Sequence, residues 1–336
     1  MLHFERQDLR TFDFAKADAF ADRTIFQTRP WLDFVAATQG AEPVVAALRD
    51  GGELVGYFTG LIVCKYGFKI LGSPFPGWTT SYMGFNLIPG RSRSEALAGL
   101  RAFAFKELGC VHAEVYDRWA TTEDARASGL EHGLGQSYEL DLRPTEEALL
   151  AGMQKGCRGY IKQAEKLGVT IEEASDAGFA DDYCAQLQDV FAKQSLVPTY
   201  EIKRVRALIE HLLPTGNLLL LRARDAQGRC IATALFPAFN THMYFWGAAS
   251  WRAHQNQRPN EIIIWHAMRY WKKRGVSFFE MMGRRDYKKK FGPYEIEVPW
   301  MRASRFEALA KMRNFAKTLV ALKQKTFGLA RQWKPS

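Results

Sequence analysis

Apolar residues recur along this chain with two periods that take turns. A period of two, or a short unbroken apolar run, predicts strands at residues 2–5, 111–116, 137–142, 169–173, 217–223, 230–239, 242–249, 276–282 and 295–301. Apolar positions three or four apart predict helices at 30–38, 92–108, 145–166, about 178–195, 201–212 and about 260–274. Residues 43–71 read as a long hairpin turned at Asp50-Gly51-Gly52, and 73–86 as an irregular aromatic loop. Each half runs strands, helix, strand in similar order, with a boundary near Pro144 and no repeat at the level of residue identity. The alternation predicts an α+β protein. A last helix from about residue 305 has Phe306, Leu309, Met312, Phe315, Leu319 and Leu322 on one face.

Composition and charge narrow this picture. Of the 336 residues 47% are hydrophobic, which excludes a disordered chain and allows one large domain or two ordinary ones. The net charge of +10 is unevenly placed. From Arg258 onward there are 19 Lys and Arg against 6 Asp and Glu, whereas the residues before it carry 27 against 30. An anionic partner is therefore expected at the C-terminal quarter. The five cysteines (64, 110, 157, 184 and 230) form no close pair, so neither a disulfide framework nor a zinc cluster is written there, and a reducing compartment fits. The first residues lack the apolar core of a signal peptide, and the apolar run at 55–64 is too short to span a bilayer. A cytoplasmic protein is expected, possible peripheral contact with the inner membrane surface included.

Candidate chemistry concentrates in residues 242–292. A polar loop at 250–259 enters a helix, so its free N–H groups could seat a phosphate, with Arg252 and Arg258 beside it. The same unit also occurs without a ligand. There is no GxGxxG run, no Gly-Lys-Ser/Thr ending, no HExxH, no Gly-x-Ser-x-Gly and no metal-spaced His/Asp/Glu cluster. P-loop nucleotide binding and the common serine and zinc hydrolases are thus excluded, and no metal is expected. Lys288 stands in a lysine triplet and is either a functional cation or solvated surface. Glu280 closes an apolar strand and is either a buried base or a carboxylate paired with Arg284 or Arg285. Tyr287 could donate a proton or pack its ring, and Asp286 reads as a helix N-cap. Arg158, Lys162 and Lys166 share a helix face that either binds an anion or is simply charged. His242, His254 and His266 share no spacing and read as structural or surface groups, His254 as a loop contact. The aromatic loop holding Trp78 and Tyr82 is either a sugar-stacking platform or a plug between domains. The terminal helix would dock on an anionic membrane or tRNA, or pack its apolar face on the body.

Several motifs then line up. Tyr244-Phe245-Trp246-Gly247-Ala248 is an aromatic strand ending in a small-residue turn. Pro259 opens a helix containing Trp265, Gly275 precedes the next strand, Glu280 and Gly283 follow, and Tyr287-Lys288 leads to Phe291-Gly292. Upstream, the basic helix from Arg158 ends in Lys166-Leu167-Gly168-Val169, and Phe26-Gln27-Thr28-Arg29-Pro30-Trp31 lies near the start. In this order they resemble the FemA/FemB/FemX aminoacyltransferases and their FemAB-like relatives in the GNAT superfamily.

The resemblance implies two tandem GNAT-like domains: 1–144 on the acceptor side, 145–302 on the donor side, and a basic helix at 303–336 that can return to the first domain. It implies transfer of an aminoacyl or acyl group to an amine of a peptidoglycan precursor or other envelope glycan. No cofactor would be tightly bound; aminoacyl-tRNA or acyl-CoA would be the donor. Lys288, Glu280 and Tyr287 would be catalytic; Trp246, Arg252, Arg258, Asn260 and Lys289 would meet the donor; Trp78, Tyr82, Arg158 and Lys162 would meet the acceptor. A strand N–H exposed where the strands near Trp246 and Met281 part would stabilise the oxyanion. One departure stands out: residues 252–260 lack the glycines of the usual CoA loop, leaving Asn256 or Asn260 to adopt a left-handed conformation. An acyl-CoA-dependent acetyltransferase of exopolysaccharide biosynthesis and an idle module binding RNA or anionic lipid remain the alternatives.

Overall fold

The computed structural model describes residues 2–75, 77–192, 198 and 200–306. The first half runs β1 (His3–Arg6), α1 (Phe14–Asp18), α2 (Arg29–Gln39), β2 (Glu42–Asp50), β3 (Glu53–Lys65), β4 (Phe68–Ser73), β5 (Gly84–Leu87), α3 (Arg93–Ala102), β6 (His112–Tyr116), α4 (Thr122–Ala127) and β7 (Glu131–Asp141). The second runs α5 (Glu146–Gly152), α6 (Lys155–Lys166), β8 (Thr170–Glu173), α7 (Phe179–Ala192), α8 (Ile202–Leu212), β9 (Leu218–Arg224), β10 (Cys230–Phe239), β11 (His242–Tyr244), β12 (Gly247–Ser250), α9 (Pro259–Lys272), β13 (Phe278–Glu280) and β14 (Tyr294–Ser304).

One mixed sheet crosses both halves in the order β1-β2-β3-β4-β6-β14-β7-β13-β11-β10-β9-β8, with β5 on β3 and β12 on β10. The two ends of this order are built alike. β3 pairs first with β4 and, after a break, with β5; β10 pairs first with β11 and then with β12. β4 and β11 each run parallel to the strand beyond the following helix, β6 and β13. In the middle the next strands are exchanged. β7 follows β6 in the chain yet pairs with β13, while β14 follows β13 yet pairs with β6, and the two pair with each other from Tyr294↔Glu139 to Arg302↔Glu131. The ladder partners of β7 thus lie on the far side of the expected boundary near Pro144.

Apolar faces close three cores. One lies under α3, where Phe4 stacks on Phe103 at 4.8 Å and meets Phe58 and Phe85. A second packs α6 and α9 on the sheet through Trp265, Trp271, Phe279 and Met281. The third joins the halves, with Phe26 edge-on to Tyr244 at 4.7 Å.

Several elements differ from the sequence pattern. The helix expected over 145–166 breaks at Met153-Gln154, where both residues are extended and the Gln154 amide donates to Lys290 O at 2.9 Å. Gly292 (φ 80) packs so closely on the Gly152 carbonyl that no Cβ fits, which ties that break to the turn before β14. The helix expected to 108 ends in a π turn over Phe103–Glu107. The strand expected over 242–249 is interrupted at Phe245-Trp246, and the one over 276–282 shrinks to Phe278–Glu280. Short helices α1 and α4 went unseen in the pattern. Beyond Phe306 the expected terminal helix lies outside the described residues.

Candidate active site

The interruption at Phe245-Trp246 creates the site. Up to Tyr244↔Glu280, β11 and β13 are paired; Phe245 N then donates to Glu280 O (3.0 Å) and Trp246 N to Leu235 O (3.2 Å). Beyond this point β12 follows β10 alone, while the other chain turns away at Met282, which adopts φ 57. Alternate amides of a strand point to opposite edges, so those on the free edge of β12 face the gap. The gap opens on a cleft of about 360 Å³ bordered by Phe245, Ala248, Ser250, Arg258, Asn260 and Tyr287, with Lys290 at its rim. One end of the cleft lies at the α9 N-terminus, whose free amides favour an anion.

At that end Arg258 takes the left-handed conformation (φ 61) immediately before Pro259. The role expected of Asn256 or Asn260 thus falls to Arg258. Its guanidinium lies over the Tyr160 ring at 4.0 Å, and its buried Nε has no partner among the described residues. Asn260 donates to Ser250 Oγ at 3.3 Å, and Lys290 pairs with Glu261 at 2.5 Å. Tyr287 is half-exposed on the cleft wall rather than packed away.

Lys288 is neither solvated nor a free hook. It is 3% exposed, and Nζ donates to the carbonyls of Met281 (2.5 Å), Met282 (3.0 Å) and Gly283 (3.3 Å). An ammonium has three N–H donors, so all are in use. Burial pulls its pKa down to about 8 against the opposing pull of the Glu280 charge. It braces the wall of the gap from behind. Lys289 pairs with exposed Asp286 at 3.0 Å and does not border the cleft of Arg258, and the cap of that 3-10 turn is Arg285, not Asp286.

Glu280 is completely buried, and its side-chain partners come from the first half of the chain. Ser137 donates to one carboxylate oxygen, joined there by Met282 N (3.1 Å); Tyr82 donates to the other at 3.2 Å, with Arg118 Nε at 3.9 Å. The expected pairing with Arg284 or Arg285 does not occur, since Arg284 pairs with Glu295 at 2.9 Å. Burial pushes the Glu280 pKa up, and these partners offset only part of that. Neighbouring Glu139 behaves oppositely. Burial would raise it too, but His242 (3.5 Å), Arg118 (2.7 Å) and the Tyr294 hydroxyl (2.5 Å) hold it down at about 2. Two buried carboxylates thus share Arg118 with their affinities for protons driven apart.

The other expected site residues scatter. Tyr82 is inside, 4.9 Å from Tyr116, which itself stacks on Trp300. Trp78 instead walls a separate hollow of about 500 Å³ with Phe75, Gln39 and Ile70. The aromatic loop therefore plugs the join at one end and borders a hollow at the other. Arg158 caps the carbonyls of Ala151 and Met153, while Lys162 is exposed on α6. Arg252, whose amide meets Asp189 at 3.2 Å, borders a different hollow with His254 and not the cleft of Arg258. Trp246 is buried against Tyr200 at 5.4 Å, its Nε1 without a partner among the described residues. Sequence reasoning missed Ser137, Arg118, Glu139 and Tyr160; only Tyr160 had a signal, lying inside the basic-helix motif. Among the described residues no group of His, Cys, Asp and Glu could hold a metal.

Residues 151–289, which contain the parted strands and the cleft, match the acetyltransferase (GNAT) domain family. This stretch carries a GNAT-type acyltransferase domain. The fold of the whole chain is similar to that of FemX, at a TM-score of 0.74 and 14% identity over 92% of this chain and 99% of that one. A tandem GNAT protein from the clavulanic acid biosynthesis pathway aligns at 0.53 and 13% identity over 91% and 99%. L-PGS from Bacillus licheniformis aligns at 0.52 and 10% identity over 86% and 95%. At such identities the likeness is one of fold, and it establishes the pair of GNAT-like halves in this acyltransferase. No curated protein matches it by sequence.

Proposed function

We propose that the acyltransferase takes an acyl group from acyl-CoA in the β12–α9 cleft and passes it to an amine on a peptidoglycan precursor or other envelope glycan. The observation that carries this reading is the gap between β12 and the chain after Glu280, ending at Arg258. The Nε of Arg258, without a partner among the described residues, and the first amides of α9 would suit a pyrophosphate, and the cleft of about 360 Å³ would take a pantetheine arm. Free-edge amides of β12 would bind the oxyanion as the amine attacks the thioester carbon. Tyr287, on the cleft wall, would protonate the departing thiolate and be reprotonated by the proton that the attacking amine gives up as the amide forms. Lys288 and Glu280 hold the gap open rather than touch the reacting atoms. The envelope acceptor rests on the likeness to FemX.

Purified full-length protein should transfer label from acyl-CoA, not from aminoacyl-tRNA, to muropeptide or amino-sugar acceptors. Transfer from aminoacyl-tRNA alone would move the donor to tRNA. Inactivity with both donors on every acceptor would favour the idle basic module, whose nucleic-acid binding falls steeply with salt.

A further inference from the structure

The β3–β4 hairpin ends in an exposed aromatic tip that the acyl-transfer site does not use. Tyr66 is 92% exposed and Phe68 50%, and every residue from Cys64 to Lys69 is exposed. The turn is Tyr66-Gly67, both at positive φ (52° and 80°). That conformation suits glycine and disfavours an aromatic residue, so a tyrosine held there in water answers no folding need. Lys65 lies opposite Phe68 and Lys69 opposite Cys64, which puts one lysine on each face of the tip. Residues 54–94 contain no Asp or Glu, and Glu42, on the adjoining strand, is already paired with Arg6.

The tip also projects. Ile62 is the last β3 residue opposite β2, and on the other arm the last link is Val111 N donating to Lys69 O at 2.9 Å, so each arm overhangs its neighbour. At about 3.3 Å per residue the overhang is about 7–10 Å, the depth at which amphipathic elements sit in a bilayer interface. No described helix is long and apolar enough to cross a membrane.

We propose that the Lys65–Lys69 tip docks this protein on an anionic lipid surface, Tyr66 and Phe68 entering the interface while the lysines meet the headgroups. Aromatic rings with a polar edge favour that interface, and exposed lysines beside it are drawn to anionic lipid. Docking would bring the Trp78 hollow, which Cys64 and Lys65 border, to the bilayer surface.

The test floats the full chain on phosphatidylcholine vesicles with and without phosphatidylglycerol. Binding is expected only with the anionic lipid and should weaken with added salt. Tyr66→Asn with Phe68→Thr should lower it about tenfold or more, and Lys65→Gln with Lys69→Gln by about fivefold per lysine. Both double variants should keep the wild-type melting temperature and transfer to soluble acceptors, since these side chains are in water. Two results would overturn the proposal: a wild-type chain that ignores anionic vesicles, or an aromatic double variant that floats as well as wild type. Neither bears on acyl transfer, which is read separately.

Discussion

The two halves meet the same topological event, an interrupted strand before a helix, and end it differently. In the first half the break between β4 and β5 is bridged by the long aromatic loop, and its amides are answered from within. Gly84 N donates to Ser73 Oγ (2.7 Å), Phe85 N to Asp117 (2.9 Å) and Leu87 N to Asp22 (3.0 Å). Arg93, at the start of α3, binds the same two aspartates at 2.5 and 3.2 Å. In the second half the break is only Phe245-Trp246. Among the described residues no side chain accepts from an amide of β12, and Arg258 has a spare buried donor. The first half has filled its break with its own carboxylates; the second leaves the corresponding place open to an external anion and carbonyl. A shared topology therefore makes one structural join and one candidate catalytic slot.

The largest effect should come from emptying the closed half. Asp117→Ala removes one of the two carboxylates on Arg93 and leaves the Phe85 and Trp119 amides without their acceptor, and should cost about 2–4 kcal/mol in urea unfolding. The molecules that remain folded should keep their specific activity. A variant as stable as wild type would mean that the first break is not closed by Asp117.

Filling the open half should do the reverse. Ala248→Phe puts a ring into the cleft and should lower kcat/KM about a hundredfold with little change in melting temperature. Unchanged kinetics would place the donor elsewhere.

Lys288→Met removes the donor of three buried carbonyls and should cost about 1–3 kcal/mol of stability, accompanied by a smaller loss of turnover. A loss of turnover at full stability would instead give Lys288 a direct catalytic role.

The smallest effect separates the two carboxylates at the join. Glu139 has a folded pKa of about 2, below the ordinary 4.5, so its contribution is complete above that ordinary value and is lost as pH falls towards 2. Glu139→Gln should flatten the acid limb of the stability profile. Glu280 is shifted upward, so its contribution is present at low pH and fades as pH rises through its folded pKa. Glu280→Gln should therefore leave the acid limb intact and remove loss on the neutral side. Urea melts across pH check both, and identical profiles for the two variants would contradict the opposite shifts.

Hydropathy period and turn residues were enough to read most strands, the α9 helix with its glycine stop, and an α+β class, because these depend on neighbours a few residues apart. Motif order pointed to the GNAT halves and to residues 242–292 as the chemical region. Tertiary structure alone decided the exchange of β7 and β14, which brings Ser137, Tyr82 and Arg118 to Glu280 from 143 or more residues away. It also decided the fate of the lysine triplet. The turn Asp286–Phe291 is a 3-10 helix with three residues per turn, so consecutive side chains diverge. Lys288 points inward to carbonyls, Lys289 outward to Asp286, and Lys290 across to Glu261. Local sequence gives these three residues one character, and only the packing around them assigns each its own partner.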